Sequence, residues 1–164
     1  MKKILPSEIK ENAVKLIADD WGLLTAGSEN GWNTMTVSWG MIGELWGKDS
    51  VTVFVRPQRY TKEFIDSNDY FSLCFFDDEY KDALKICGSK SGRDIDKAQA
   101  TGLKPVFADS TVYFEQAKLV IICKKIACQV MDPKGFVDES VNKNYAAGDY
   151  HTVYVGEIVS VYEK

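Results

Sequence analysis

Strand character dominates this chain and helices arrive too irregularly to alternate with it. Runs at residues 21–26, 33–40, 50–56, 70–76, 111–116, 117–131 and 150–162 are rich in β-branched or aromatic residues and bounded by Gly, Asp or Asn, the pattern of strands. Helical patterning fits only short stretches, 7–18, 61–67, 79–86 and 94–101, the last with Gly102 placed as a C-cap and with Ser91 or Asp94 expected to cap its start. A doubly wound parallel sheet needs regular β–α alternation, and no Gly-x-Gly-x-x-Gly follows the first strand, which disfavours a Rossmann nucleotide site. Many strands, one of them long enough to bend across two sheets, predict a mainly β chain with short helices: a closed or partly closed antiparallel barrel forming one domain over residues 1–164.

At 164 residues, a chain buries roughly 70% of its unfolded surface and needs no covalent staples. The net charge of −4 leaves no basic footprint for a nucleic-acid backbone or an anionic membrane, so neither is an expected partner. After Met1-Lys2-Lys3 the charges of Glu8, Lys10, Glu11 and Lys15 interrupt any apolar signal region, and a cytoplasmic protein is expected. Cys74, Cys87, Cys123 and Cys128 form no Cys-x-x-Cys pair and have one histidine between them, so no metal site is expected and the thiols read as small hydrophobes. Cys87, beside Gly88 in an expected loop, is the one thiol with a neighbourhood of interest.

Only three of the 20 basic residues are arginine: Arg56, Arg59 and Arg93. A guanidinium is a planar five-donor fork suited to phosphate or carboxylate, and all three fall in two polar segments. The first, Arg56-Pro57-Gln58-Arg59-Tyr60-Thr61, lies where a strand opens into a short helix, and the helix N-terminus adds free N–H groups for an anion. The second, running from Cys87 to Lys97, is a Gly/Ser-rich loop that leads into a helix; its glycines permit close backbone approach, while Asp94 and Asp96 oppose an anion at that helix end. In the strand from Asn33, alternation puts Thr34, Thr36 and Ser38 on a hydroxyl-bearing face and Met35, Val37 and Trp39 on a core face.

These three segments, Asn33-Thr34-Met35-Thr36-Val37-Ser38-Trp39-Gly40, Val53 through Thr61, and Cys87 through Lys97, together resemble the flavin reductase-like, flavoredoxin-like branch of the FMN-binding split-barrel proteins. The order and spacing match, and the resemblance runs from Asp20-Trp21 to His151-Thr152 and Gly156-Glu157. It implies an antiparallel Greek-key split β-barrel and a homodimer with flavin near the subunit interface. It implies FMN contacts from Asn33, Thr34, Met35, Thr36, Val37 and Ser38, and a grip on the ribityl chain and phosphate by Arg56, Gln58, Arg59, Tyr60, Thr61, Ser91 and Arg93, with Cys87 and Gly92 in the same cofactor-binding set.

A similar histidine lies close to the flavin in that family, which makes His151, the only histidine, a candidate catalytic residue, expected to titrate in the physiological range. Gly156 marks a bulge or a close backbone approach. Trp21, Trp32, Trp39 and Trp46 read mainly as core and dimer contacts, with Trp32 and Trp46 beside turns and able to border a pocket. The family implies hydride transfer from NADH or NADPH to FMN; a flavoredoxin-like electron carrier served by a redox protein partner is the alternative. A barrel that binds a ligand without turnover is the reading from another class. Heme-binding and pyridoxamine-oxidase-like barrels fit the arginine segments less well.

Overall fold

The structure, a computed structural model, describes residues 1–164. Ten strands, β1 (Lys2–Ile4), β2 (Gly22–Ser28), β3 (Gly31–Val37), β4 (Gly40–Leu45), β5 (Lys48–Val55), β6 (Tyr70–Phe75), β7 (Pro105–Ala108), β8 (Thr111–Phe114), β9 (Leu119–Val130) and β10 (Thr152–Glu163), are joined by four short helices, α1 (Ala13–Lys15), α2 (Thr61–Ser67), α3 (Lys81–Ser89) and α4 (Lys97–Thr101). Every strand pairing is antiparallel. The main sheet runs β3-β2-β6-β9-β10-β5-β4, with β1 also on β10, and β7–β8 form a separate hairpin.

The closure follows from one short connection. β3 and β4 are the opposite edges of the sheet, yet only Ser38 and Trp39 lie between them. Three Cα steps reach at most about 11 Å, so the sheet curls until its edges almost meet while β3 and β4 stay unpaired. The result is the expected mainly β, antiparallel barrel, split along one seam.

Alternation fills two cores. Phe71, Leu73 and Phe75 of β6 and Leu119, Ile121 and Cys123 of β9 point into the barrel with Leu24, Met35, Val53 and Tyr154. Their neighbours Cys74, Val120 and Ile122 point outward, where Ala83, Leu84 and Cys87 of α3 and Phe114 of β8 cover them. A sheet buried on both faces reads as near-continuous apolar sequence, as these strands do. β9 and β10 bend together through register shifts at Val155/Gly156 and Ile158/Ser160. At Gly156 a Cβ would sit 2.5 Å from the Phe71 ring and 2.7 Å from the Cys123 Cβ, so the bulge and close approach expected there both occur.

Several local expectations are corrected. The helix over 7–18 is instead a 3₁₀ turn at Pro6–Glu8, then α1, then a π-turn at Leu16–Asp20, because the Asn12 side chain accepts from the Lys15 N–H and starts a new helix there. Strands β1, β4 and β7 were not legible. The last helix begins at Lys97, not after Ser91 or Asp94: the Asp96 carboxylate accepts from the Gln99 N–H at 3.0 Å, whereas Ser91 O accepts from Asp94 and Ile95 in a preceding turn. Gly102 caps its end at φ +70°, as the sequence indicates. No helix is long and apolar enough to cross a membrane.

Candidate functional site

Two adjoining cavities lie beside the β3–β4 edge. One, about 150 Å³, is lined by Met35, Thr36, Val37, Ser38, Trp39, Phe54, Arg56, Arg59 and His151. The other, about 300 Å³, is lined by Asn33, Met35, Gln58, Arg59, Tyr60, Thr61 and, from the far side, Ser89, Lys90, Ser91, Gly92 and Lys97. Met35 and Arg59 border both. The first cavity mixes apolar walls, Met35, Val37, Trp39 and Phe54, with the polar side chains of Thr36, Ser38, Arg56, Arg59 and His151; the second is ringed mostly by hydroxyl, amide and cationic groups.

The polar end is tied to the barrel by specific bonds. Asn33 donates from its amide to the Thr61 hydroxyl at 2.8 Å, joining β3 to the start of α2. Gly92 leans against this pair so closely that a Cβ there would lie 2.0 Å from Asn33 Oδ1. Arg59 donates to the Gly88 carbonyl at 2.8 Å, drawing the end of α3 toward the Arg59 segment. Lys97 is buried, and its ammonium donates to the carbonyls of Thr34 and Cys87, each at 2.7 Å. Burial first, and Arg59 second, lower its pKa.

The three arginines occupy different situations. Arg56 turns away from the polar cavity: it donates to the Asn144 carbonyl at 2.8 Å, pairs with Asp149 at 2.5 Å, and lies 5.2 Å from the Tyr145 ring centre. Gln58 donates to the same Asp149 carboxylate at 2.8 Å, and these two bonds hold that carboxyl below its usual range. Both residues therefore anchor the 132–149 connection as well as lining cavities. Arg93 is half exposed, pairs with Glu63 and stacks 4.4 Å over Tyr60, at the rim.

The hydroxyl face expected on β3 is satisfied inside the protein. Thr34 bonds Thr25 and the Leu24 carbonyl, and Thr36 donates to the Leu84 carbonyl at 2.5 Å. Thr34, Cys87 and Arg93 thus lie outside both cavities, whereas the other sequence candidates line one or the other. Cys87 sits within α3 and not in a loop; burial there pushes its thiol up to about 11, so it is protonated at neutral pH.

His151 precedes β10 and does not belong to the strand, and its side chain is packed by Trp39 at 5.2 Å, Tyr145 at 5.5 Å and Phe54 at 6.4 Å between ring centres. Burial and the positive Arg56 lower its pKa to about 4. The expectation of titration in the physiological range is corrected: the imidazole is neutral at pH 7. Tyr145 Oη lies 2.8 Å from its Nδ1.

Sequence reasoning missed Trp39, Phe54, Ser89, Lys90 and Lys97. Trp39, assigned to the core by alternation, lies beyond the end of β3 and is exposed. Trp32 packs on Phe114 and Phe107, away from both cavities, and Trp46 occupies a two-residue turn with Gly47, both at positive φ. Lys97 closes the Gly/Ser-rich segment, but nothing in its spacing separates it from the other lysines; burial alone does.

No curated protein matches the chain. Its fold is similar to that of flavoredoxin from Methanosarcina acetivorans at 21% identity and TM-score 0.71, covering 88% of this chain and 68% of that one. Flavoredoxin of Desulfovibrio vulgaris (Miyazaki F) matches at 22% identity and TM-score 0.70, over 100% and 77% of the two chains. An FMN-binding protein from Thermus thermophilus, solved with 1-cyclohex-2-enone, matches at 21% identity and TM-score 0.70, over 99% and 78%. The family model described as "flavin reductase like domain" matches residues 15–164. With nearly all of its length covered and a split antiparallel barrel in common with these structures, the chain belongs to the flavin reductase-like domain family.

Proposed function

We propose that this protein holds FMN across the two adjoining cavities and acts as an oxidoreductase passing a hydride from NADH or NADPH to that flavin. The observation that carries the reading is the pair of neighbouring cavities that share Met35 and Arg59, one rich in donors and the other bordered by Trp39, Phe54 and His151. Such a site fits a molecule with an anionic tail and a flat conjugated head. Arg59, Ser91, Thr61 and Lys97 supply donors for the phosphate and ribityl groups, and Lys97 keeps a buried cation near that end. Residues Met35 to Trp39, Phe54 and His151 line the cavity that would hold the ring. FMN, when bound, supplies the two-electron chemistry; the protein supplies position, electrostatics and access. Neutral His151 acts there by hydrogen bonding and not as an imidazolium acid.

We further propose a homodimer. Met41, Trp46 and Val130 are 62%, 66% and 59% exposed. They belong to apolar surface grooves that meet at Met131 and take in Trp39, Phe136, Val153 and Val155. Apolar surface this extensive on a soluble chain marks an interaction site, and a second copy is the occupant that the family resemblance suggests. Four unpaired thiols, three of them buried, fit a reducing cytoplasm.

Fold likeness to two flavoredoxins favours a second reading, an electron carrier reduced by a protein partner. The deciding experiment is an absorbance spectrum after FMN addition and desalting, followed by anaerobic NADH and NADPH. Retained flavin that bleaches within seconds of mixing with NADH or NADPH supports hydride transfer; retained flavin that does not bleach supports the carrier. Failure to retain or reduce FMN at all rejects both in favour of a barrel that binds some other ligand.

A further inference from the structure

His151 offers two nitrogens with different surroundings. Nδ1 faces the Tyr145 hydroxyl at 2.8 Å, while Nε2 has no partner within the chain and the ring lines the aromatic cleft. A neutral imidazole carries its proton on one nitrogen only, so the partner of Nδ1 decides what Nε2 presents. The Tyr145 hydroxyl has two acceptors within reach, His151 Nδ1 and the Met131 sulfur at 3.5 Å. A thioether is a weak acceptor and an imidazole nitrogen a good one, so the single hydroxyl proton goes to Nδ1. Burial raises the Tyr145 pKa, which keeps that proton in place at neutral pH.

The ring is also held in position. Tyr145 stacks on Phe136 at 5.7 Å and packs against Tyr150 at 5.0 Å, and Arg56 crosses its face. Arg56 is in turn fastened to the Asn144 carbonyl and Asp149. The connection between β9 and β10 is thereby clamped so that the Tyr145 hydroxyl meets one edge of the imidazole.

We propose that Tyr145 is a positioning residue that holds His151 as the Nε2–H tautomer, so that the cleft receives one neutral hydrogen-bond donor aimed at a carbonyl-type acceptor on the incoming ligand. The tautomer is a property of the chain itself. The identity of the acceptor, the carboxamide oxygen of a nicotinamide, rests on the function proposed above. Asp149 and Gln58 reach this arrangement only through Arg56 and the 132–149 connection.

Because His151 is the only histidine, two-bond ¹H–¹⁵N correlation on uniformly ¹⁵N-labelled protein reads the state directly, without cofactor or turnover. The expected wild-type spectrum has a pyrrole-type Nε2 and a pyridine-type Nδ1; the reverse assignment, or an imidazolium pattern at pH 7, overturns the proposal. Tyr145→Phe keeps the ring packing and removes the hydroxyl, and the two nitrogens should move toward the averaged shifts of mixed tautomers. A Tyr145→Phe spectrum identical to wild type overturns it. Met131→Leu deletes the competing acceptor and should leave the tautomer unchanged; a tautomer change there means that the hydroxyl proton was on sulfur, and the proposal fails. In steady state, Tyr145→Phe should raise KM for the nicotinamide nucleotide about five-fold, the worth of one oriented hydrogen bond, with kcat nearly constant. An unchanged KM alongside a lost tautomer rejects the donor role. If wild type does not oxidise NAD(P)H, the functional reading has failed and the spectrum alone decides the tautomer.

Discussion

His151 links the site to acid stability. Its folded pKa of about 4 lies below the ordinary value of 6.5, so between those pH values the unfolded chain binds a proton that the folded chain excludes. The stabilisation from keeping it neutral is complete above pH 6.5 and is lost as pH falls toward 4. Urea unfolding should show stability decreasing by up to about 3 kcal/mol across that window, and His151→Gln should flatten the slope; an equal slope in the variant means that another group is responsible. At the polar cavity, Arg59→Ala should weaken FMN binding by about 1.5 to 3 kcal/mol, since it removes a charged donor bordering both cavities. Arg93→Ala should cost less than about 1 kcal/mol, because that side chain is solvent-exposed and paired with exposed Glu63. Titration calorimetry that ranks Arg93 above Arg59 contradicts this placement of the anion.

Two glycines set how closely elements approach. Gly92→Ala places a methyl 2.0 Å from Oδ1 of the buried Asn33 side chain, whose amide nitrogen donates to Thr61, so either that side chain or the loop before α4 must shift away from the start of α2. FMN affinity should fall about ten-fold or more, the loss of at least one well-placed hydrogen bond, and the apoprotein should lose about 1 to 3 kcal/mol of stability in urea titration if the buried Asn33 amide loses its partner. Gly156→Ala acts on the core instead. Its methyl meets Phe71 and Cys123, both fully buried, and overpacking there should lower stability by about 1 to 3 kcal/mol in urea titration. The element scale also explains what could not be read beforehand. β4 carries Gly40 and Gly43 and is mostly exposed, so it lacks both strand propensity and a clean alternation; its pairing with β5 through the Trp46–Gly47 turn forms it.

For the whole molecule, the exposed face around Met41 and Trp46 should be covered by a second copy. Sedimentation velocity should find a dimer for the native chain, and Met41→Glu with Trp46→Glu should yield a folded monomer, since charges cannot be buried unpaired in an apolar interface. A native monomer at micromolar concentration rejects the dimer. Such a variant also reports whether Trp39, which borders both the cleft and the outer apolar groove, couples assembly to flavin retention.

By itself the sequence determined the strand-rich class, the apolar runs of the central strands, the C-cap at Gly102 and the bulge at Gly156, because each rests on local periodicity or on a residue with special backbone freedom. It also singled out the segments that meet at the cavities, since arginine is sparse enough to be informative. Only the tertiary structure decided that Ser38 and Trp39 bridge the two sheet edges, and that Arg56 turns to Asp149 and away from the polar cavity. It likewise buried Lys97 and His151, which shifts the pKa of each. Those outcomes depend on desolvation and on partners 60 to 90 residues away in the chain, such as Thr34 for Lys97 and Asn144 for Arg56, and no local pattern encodes either.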